Sequence, residues 1–409
     1  MVKLGRSLGS FRSLAGPVRG AAAVAGLALA LGACSDINST FPQFSQSGGG
    51  ATPQTGQPVT GATIGTGPVN VALILPLSSA NGSVPAQSLR NAAEMAIAEF
   101  NSQELTILVK DDQGTPEGAQ AAAQEALSQG AQAIMGPLFG PSVQAVAGVA
   151  RAAQKPVIAF STDASTASRG VYLLSFMPQT DVQRIVSFAA SKGKKSFAAL
   201  IPQSAYGNVA EAAFMQAVTA SGGRVVVVER YQPSKASLDA AVAKVKASIG
   251  QADALFIPDD GNGIPAVATA IRAAGIGSNV QLLGTGVWNE ARVLKTAGLS
   301  GGWFAAPENN GFQNFAQRYR ARFNADPTRI ATLSYDATAL LSALVRTQGA
   351  SRFSEQVLTN NSGFSGQDGV FRFRADGAND RGLAIYQIGS GGGASVIQAA
   401  PRGFGNSGT

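Results

Sequence analysis

From residue 69 onward, apolar residues follow two alternating periods. Near-continuous apolar runs, such as Val69 to Leu77, stop at polar or glycine-containing segments and predict buried parallel strands. Stretches with apolar residues on one helical face, such as Pro116 to Ser128, predict amphipathic helices. Strands that alternate with helices of about 10–15 residues indicate βαβ units on parallel sheets.

The number of strands predicts two sheets. About eleven strands are predicted, which is more than one doubly wound sheet comfortably holds. Two helices in succession, Asn314 to Phe323 and Ile330 to Thr347, then indicate a return to the first lobe and a later return to the second. We therefore predict an α/β fold with two doubly wound parallel-sheet lobes. A single eight-unit barrel is the alternative.

The first 33 residues read as an export signal. Met1 to Arg19 is basic, and Ala21 to Leu31 is an apolar run too short for a permanent membrane span. Leu-Gly-Ala-Cys, ending at Cys34, resembles the bacterial lipobox. The resemblance implies that Cys34 carries lipid, in the outer or inner membrane. A plain signal peptide with an incidental cysteine is the alternative.

Segments of low complexity flank the predicted lobes. Residues 34–68 are rich in Ser, Thr, Gln, Gly and Pro and predict a flexible tether. Residues 393–409 read as a flexible tail. Between them, we assign residues 69–178 and 306–348 to lobe 1, and residues 179–305 and 349–392 to lobe 2.

Composition excludes several kinds of chemistry. The chain has no histidine and one cysteine, so histidine-dependent hydrolysis, histidine metal sites and cysteine clusters are excluded. We predict no cofactor and no metal. The net charge of +7 falls to +3 without the four basic residues of the first 20 positions, and no clustered basic face predicts nucleic-acid binding.

The order and spacing of several segments resemble the type I periplasmic binding proteins of the leucine/isoleucine/valine-binding group. The resemblance covers about residues 69 to 390. Its marks are VALILPLS from Val71, NAAEMAIA from Asn91, GAQAIMG from Gly130, KPVIAFS from Lys155, Tyr206-Gly207 and IRAAG from Ile271. It implies two lobes joined by a three-strand hinge, which close on a ligand.

The candidate ligand-binding residues follow strand ends, because ligands of open parallel sheets lie beyond the carboxyl ends of strands. By the resemblance, the loops after two lobe 1 strands hold an amino acid's carboxylate, and an aromatic residue and an acid of lobe 2 complete the cleft. The predicted residues are Ser78, Phe139, Ser142, Thr162, Asp163, Tyr206, Asp259 and Asp260. Helix capping for Ser142 and a turn role for Tyr206 are the alternatives. Asp163 departs from the family pattern, since a carboxylate repels a carboxylate ligand.

Two functions remain open at this stage, and neither is enzymatic. One is solute capture for an ABC importer, with an amino acid or similar ligand and a permease partner. The other is activation of a penicillin-binding protein, a role that lipoproteins of this fold also have. The acidic pairs Asp111-Asp112 and Asp259-Asp260 suggest acid/base or Mg²⁺ chemistry, but adjacent residues at a strand end point apart, so we interpret them as solvated turns.

Overall fold

The computed structural model describes residues 62–277 and 279–404. The strands are β1 (Thr63–Ile64), β2 (Val69–Leu75), β3 (Leu105–Asp111), β4 (Ile134–Met135), β5 (Val157–Ala159), β6 (Val171–Leu173), β7 (Ser196–Pro202), β8 (Arg224–Tyr231), β9 (Ala254–Phe256), β10 (Gln281–Gly284), β11 (Trp303–Ala306), β12 (Phe364–Gly366), β13 (Gly369–Phe373), β14 (Asn379–Arg381), β15 (Ala384–Ile388) and β16 (Ala394–Gln398). The helices are α1 (Ser83–Glu99), α2 (Pro116–Ser128), α3 (Gly140–Ala152), α4 (Pro178–Ser191), α5 (Ala205–Ala220), α6 (Lys235–Ser248), α7 (Ile264–Ala273), α8 (Ala291–Leu294), α9 (Asn309–Phe323), α10 (Ala331–Gln348) and α11 (Glu355–Leu358).

Lobe 1 is built on a six-stranded sheet in the order β1-β3-β2-β4-β5-β6. Strands β2 to β6 are parallel, and β1 pairs antiparallel with β3. The central strand β2 reads VNVALIL and is buried at every position but Asn70, because helices cover both faces of a parallel sheet. Helix α2 begins where expected: the Thr115 side chain accepts the Gly118 N–H at 3.0 Å, and Pro116 follows.

Lobe 2 is built on a seven-stranded sheet in the order β16-β15-β11-β10-β9-β7-β8. The strands from β8 to β11 are parallel, whereas β15 and β16 run antiparallel at one side. Stacked rings fill its interior, such as Phe214 on Phe256 with centroids 4.9 Å apart. Two separate sheets confirm the two-lobe prediction and rule out the single barrel.

Three segments connect the lobes, as the resemblance implied. They are residues 174–177 between β6 and α4, residues 307–308 between β11 and α9, and residues 382–383 between β14 and β15. Near these segments, Asn289 of lobe 2 and Asn309 of lobe 1 exchange side-chain hydrogen bonds of 2.7 and 3.3 Å. The fold is thus two α/β lobes with a hinge of three short crossings.

The last return to lobe 2 lies later in the chain than the sequence analysis placed it. Residues 349–392 were assigned to lobe 2, but Leu358, Phe371 and Phe373 are buried in the lobe 1 core with Leu73 of β2. They lie there because β12, β13 and β14 form a separate antiparallel sheet against that core. Lobe 2 resumes only at β15.

Short strands occur inside the two segments expected to be flexible. In the expected tether, Thr63–Ile64 pairs with β3 through Leu108 and Ile107. In the expected tail, Ala394–Gln398 pairs with β15. Both are edge strands whose backbone hydrogen bonds come from a neighbouring strand, and so their polar or glycine-rich composition did not reveal them.

Candidate functional site

The loops that follow β2, β3 and β4 meet at the carboxyl edge of the lobe 1 sheet. Phe139 precedes helix α3, and its ring lies 3.0 Å and 3.5 Å from the positions that a Cβ atom would take at Gly82 and Gly114. Ser78 is exposed, and its backbone N–H donates to the Asp111 carboxylate at 3.2 Å. Three separate loops therefore form one continuous surface at this edge.

Ser142 lies behind this surface. Its side chain is 1% exposed, and its hydroxyl donates to the Thr115 carbonyl at 3.4 Å. It does not cap helix α3, whose N-cap residue is Phe139. The hydroxyl instead connects α3 to the start of α2, so the capping alternative was wrong.

Thr162 and Asp163 lie in the loop after β5, and this loop approaches the one after β4. A side chain at Gly140 would meet the Asp163 carboxylate at 2.6 Å. Asp163 is exposed, and its Oδ1 accepts both the N–H and the hydroxyl of Ser165, at 3.0 and 2.7 Å. Ser165 is therefore a turn residue, and part of the Asp163 charge is engaged inside its own loop. Thr162 is half-buried beside it.

Tyr206 opens helix α5 in lobe 2. Its hydroxyl shares a 2.6 Å hydrogen bond with the Thr285 hydroxyl. Burial raises the pKa of Tyr206 well above its usual value, and the negative charges of Asp181, Asp260 and Asp259 raise it further. The phenol thus stays protonated at physiological pH and faces several carboxylates.

Asp259 and Asp260 follow β9 and differ in their partners. Asp259 accepts the hydroxyl of Tyr231 and the N–H of Asp260. Burial raises the pKa of Asp259 above its usual value. Asp260 accepts the N–H of Asn262 at 2.8 Å and is half-buried. Gly263 is required beside them, because a side chain there would overlap the Asp259 carboxylate.

Glu290 joins this acidic group and was not predicted. A side chain at Gly261 would meet the Glu290 carboxylate at 2.5 Å, so the two loops touch. Burial and the negative charge of Asp260 raise the pKa of Glu290. Glu290 lies thirty residues after Asp260 in the chain. The order of strands in the sheet brings its loop beside the loop of Asp260, so the local sequence gives no signal for this contact.

A buried group of charges near the hinge was also missed. Arg329 makes a bidentate ion pair with Asp368 at 2.6 and 3.0 Å, and Thr332 donates to the same carboxylate at 2.6 Å. Burial acts to raise the pKa of Asp368, but Arg329 outweighs it with the help of Arg381 and Thr332, so this pKa lies below its usual value.

The other charges of this group lack such partners. All three guanidinium nitrogens of Arg381 and Oδ2 of Asp336 have no hydrogen-bond partner among the described residues. Burial raises the pKa of Asp336 to about 7, and the charge of Asp368 adds to the effect. Burial likewise raises the pKa of Asp181, on the first turn of α4, to about 7. The Gly286 N–H donates to Asp181 at 2.9 Å.

The two residues of the Asp111-Asp112 pair have different surroundings. Asp112 is completely buried, and burial raises its pKa to about 6, so its solvated-turn interpretation was wrong. The residue faces the start of α2, where the N–H of Gly114 donates to it at 2.7 Å. Half-buried Asp111 accepts the backbone N–H of Gln113 at 2.9 Å, as a turn residue does. Trp288 is buried and donates to the Ile257 carbonyl at 3.1 Å, so it packs lobe 2.

The structure thus assembles the predicted residues in two sets. In lobe 1, Phe139 and Asp163 share an edge, whereas Ser142 is withdrawn. In lobe 2, Tyr206 lies within electrostatic range of Asp259 and Asp260. In residues 62–277 and 279–404, no cluster of three metal-ligating side chains occurs, and no helix is long and apolar enough to cross a membrane. Cys34 lies outside the described residues.

Solved structures share this architecture. A putative branched-chain amino acid ABC transporter protein from Rhodospirillum rubrum has a TM-score of 0.72 at 18% identity, covering 80% of this chain and 99% of its own. A leucine-binding protein from Thermotoga maritima has a TM-score of 0.56 at 18% identity, covering 81% and 98%. An R. palustris solute-binding protein in complex with benzoate has a TM-score of 0.56 at 18% identity, covering 83% and 98%. Likeness at this identity shows the fold alone.

Sequence comparison assigns the family. No curated protein matches the chain at a significant level. A family model described as a periplasmic binding protein matches residues 68–393, which include both lobes and all three connections. Proteins of this family bind solutes, and the family implies a location in the periplasm. The chain therefore belongs to the periplasmic binding protein family.

Proposed function

We propose that the chain is the solute-binding component of an ABC importer and that its ligand is an amino acid or a similar small molecule. The observation that carries the proposal is the pair of polar loop sets at the carboxyl edges of the two sheets. Phe139 and Thr162 belong to the lobe 1 set, and Tyr206, Asp259 and Asp260 to the lobe 2 set. Ligands of hinged two-lobe proteins lie between such edges.

The lobe 2 set suits a positively charged ligand group. Asp260 and Glu290 are carboxylates with few internal partners, and Tyr206 adds an aromatic ring beside them. An ammonium group is attracted by carboxylates and by aromatic faces. An amino group of the ligand would therefore bind at the loops after β9 and β10.

The lobe 1 set suits the opposite end of an amino acid. Helix α3 begins at Gly140 directly after the loop of Phe139, and its first N–H groups present the positive end of the helix dipole. The hydroxyl of Thr162 lies in the adjacent loop. Asp163 opposes an anion here less than a free carboxylate would, because Ser165 donates two hydrogen bonds to it.

Related structures support a small organic ligand of this kind. Three of them are a putative branched-chain amino acid ABC transporter protein, a substrate-binding protein in complex with leucine and a solute-binding protein in complex with benzoate. These are ABC transporter binding proteins, so they support import and give the penicillin-binding protein activator no support. We therefore propose a transport permease as the protein partner.

We further propose that lipid on Cys34 anchors the protein to a membrane. The support is the position of the single cysteine after an apolar run and Leu31-Gly32-Ala33. Acyl chains hold a protein by burying methylene groups, at about 0.8 kcal/mol each. Replacing Cys34 by Ala should release the protein into the soluble fraction of its host, and unchanged membrane retention would refute the anchor.

Calorimetric titration tests the ligand. The chain without its signal is titrated with each of the twenty amino acids and with benzoate. Asp260→Asn should weaken binding of the best amino acid at least tenfold, because it removes the charge that attracts the ammonium group. Asp239→Asn is the matched control: Asp239 is an exposed lobe 2 carboxylate paired with Lys235, and binding should not change. If no amino acid gives heat, the amino-acid assignment fails; heat with benzoate alone reassigns the ligand to the aromatic acids.

A further inference from the structure

Arg381 is a buried cation without a hydrogen-bonded partner. Its side chain is 6% exposed, and Nε, Nη1 and Nη2 have no hydrogen-bond partner among residues 62–277 and 279–404. Its guanidinium carbon instead lies 4.8 Å from the ring centroid of Phe176 and 5.6 Å from that of Phe371. Buried arginine donors are nearly always paired, so an arginine in this state calls for a physical reason.

The position of Arg381 in the chain suggests that reason. It is the last residue of β14 and directly precedes the third connection between the lobes. Phe176, which it faces, lies in the first connection, and the ring of Phe176 is held between Arg381 and Arg329 at 4.8 and 4.5 Å. Any rotation about the hinge therefore moves the surroundings of this guanidinium.

Three carboxylates act electrostatically on Arg381, and they differ in which lobe carries them. Asp368 and Asp336 belong to lobe 1, as Arg381 does, and Asp368 is already bonded by Arg329 and Thr332. Asp181 belongs to α4, three residues into lobe 2. Of the three carboxylates, Asp181 is therefore the one whose distance from Arg381 changes when the lobes move.

We propose that Arg381 and Asp181 form an ion pair between the lobes when the lobes close, and that this structure shows the unpaired state. Both residues lie within a few positions of a hinge connection, so rotation of one lobe displaces them by only a few ångström. Such a displacement is enough to make or break a hydrogen-bonded pair. The pair favours the closed state, and closure no longer depends on the ligand alone.

Distance measurement between spin labels tests the pair without any ligand. The spin labels are attached to cysteines that replace Val84 in lobe 1 and Met215 in lobe 2. These residues are 57% and 42% exposed. The full chain carries Cys34→Ala, so that no other cysteine is labelled. At pH 8 we expect a short and a long distance population. Asp181→Asn and Arg381→Met should each lower the short-to-long ratio about tenfold, and the double variant should lower it no further, because either change removes the whole pair.

Asp336→Asn is the matched control. It removes a buried carboxylate that acts on the same guanidinium but travels with it, so the ratio should stay within about twofold of the unmodified protein. A single distance that Asp181→Asn does not shift would overturn the proposal, as would additive effects in the double variant or an Asp336→Asn effect equal to that of Asp181→Asn. If Arg381→Met does not fold, the result for Asp181→Asn decides alone.

Protonation of Asp181 gives an independent readout. The groups that face Asp181 are Arg381, Arg329, Tyr206 and the Gly286 N–H. Protonation removes the charge that Arg381 attracts, so lowering the pH from 8 to 5.5 should reduce the short-distance population. Asp181→Asn should abolish this dependence, and an equal dependence in that variant would exclude the pair. The result is independent of ligand identity, so it stands or falls separately from the proposed transport function.

Discussion

Two arginines near the hinge, half-buried Arg329 and buried Arg381, have the same chemistry but different surroundings. Arg329 has a bidentate carboxylate partner, Asp368, which Thr332 also bonds. Arg381 has aromatic rings against its guanidinium and no hydrogen-bonded partner among the described residues, although Asp336 lies within electrostatic range with one oxygen unpaired. Burial alone therefore does not define the role of a charge. The completed pair fixes lobe 1, whereas the incomplete one is free to change partners.

Removing the partner of the completed pair should produce the largest loss of stability. Arg329→Met leaves the Asp368 charge buried without its cation, which typically costs about 3–5 kcal/mol. Chemical denaturation measures the free energy of unfolding, and circular dichroism checks that the variant folds. A loss under about 1 kcal/mol would mean that the Arg329 and Arg381 sites are energetically alike, and the comparison would then fail.

Removing the Asp336 charge, which lies at the incomplete site, should stabilise the protein at high pH, whereas Arg329→Met destabilises it. Burial holds the pKa of Asp336 at about 7 in the folded protein, against 3.8 in the unfolded chain. Its contribution to stability is therefore full below about pH 4 and is lost as the pH rises to about 7, with a total of at most about 4 kcal/mol. Asp336→Asn lacks this titration and should be more stable than the unmodified protein at pH 8.

Melting curves from pH 5 to pH 8 check this prediction. The advantage of Asp336→Asn should grow with pH and should be small at pH 5. Asp326→Asn serves as the control, because Asp326 is an exposed carboxylate paired with Arg320, and surface changes typically shift stability by less than about 0.5 kcal/mol. An advantage of Asp336→Asn that does not vary with pH would show that its carboxyl group does not titrate in this range.

Breaking an exposed ion pair should have the smallest effect on the free energy of unfolding. Arg169 is largely exposed and bonds Glu355 at 2.7 Å. Arg169→Ala should leave the free energy of unfolding almost unchanged, because water and salt screen such pairs. A loss as large as that of Arg329→Met would show that distance and geometry, rather than burial, set the strength of ion pairs in this protein.

Strand and helix positions were largely readable from local pattern. Helix α2 was predicted at Pro116 to Ser128 and has these bounds in the structure, and β2 begins at Val69 as predicted. Strand β4 is only Ile134–Met135, although the apolar run extends from Ala131 to Gly136. The ends of a strand depend on where its neighbour stops pairing, and this is not a property of the strand's own residues.

The candidate site was predicted less completely. Tyr206, Asp259 and Asp260 follow strand ends, and the structure brings them within range of one another. Ser142 follows the same rule but faces inward, because it is the third residue of α3 and the helix turns it toward Thr115. Glu290 and the residues around Arg381 come from distant parts of the chain, so no local spacing signals them.

The sequence by itself determined the βαβ alternation, the two sheets and the excluded chemistry, since these follow from hydrophobic period and residue content. Only the tertiary structure decided which charges are paired, because pairing depends on elements that are far apart in the chain. Asp368 finds Arg329 thirty-nine residues earlier, while Arg381 finds no hydrogen-bonded partner at all among the described residues. Desolvation, which makes that difference energetically large, acts only once these distant segments have packed together.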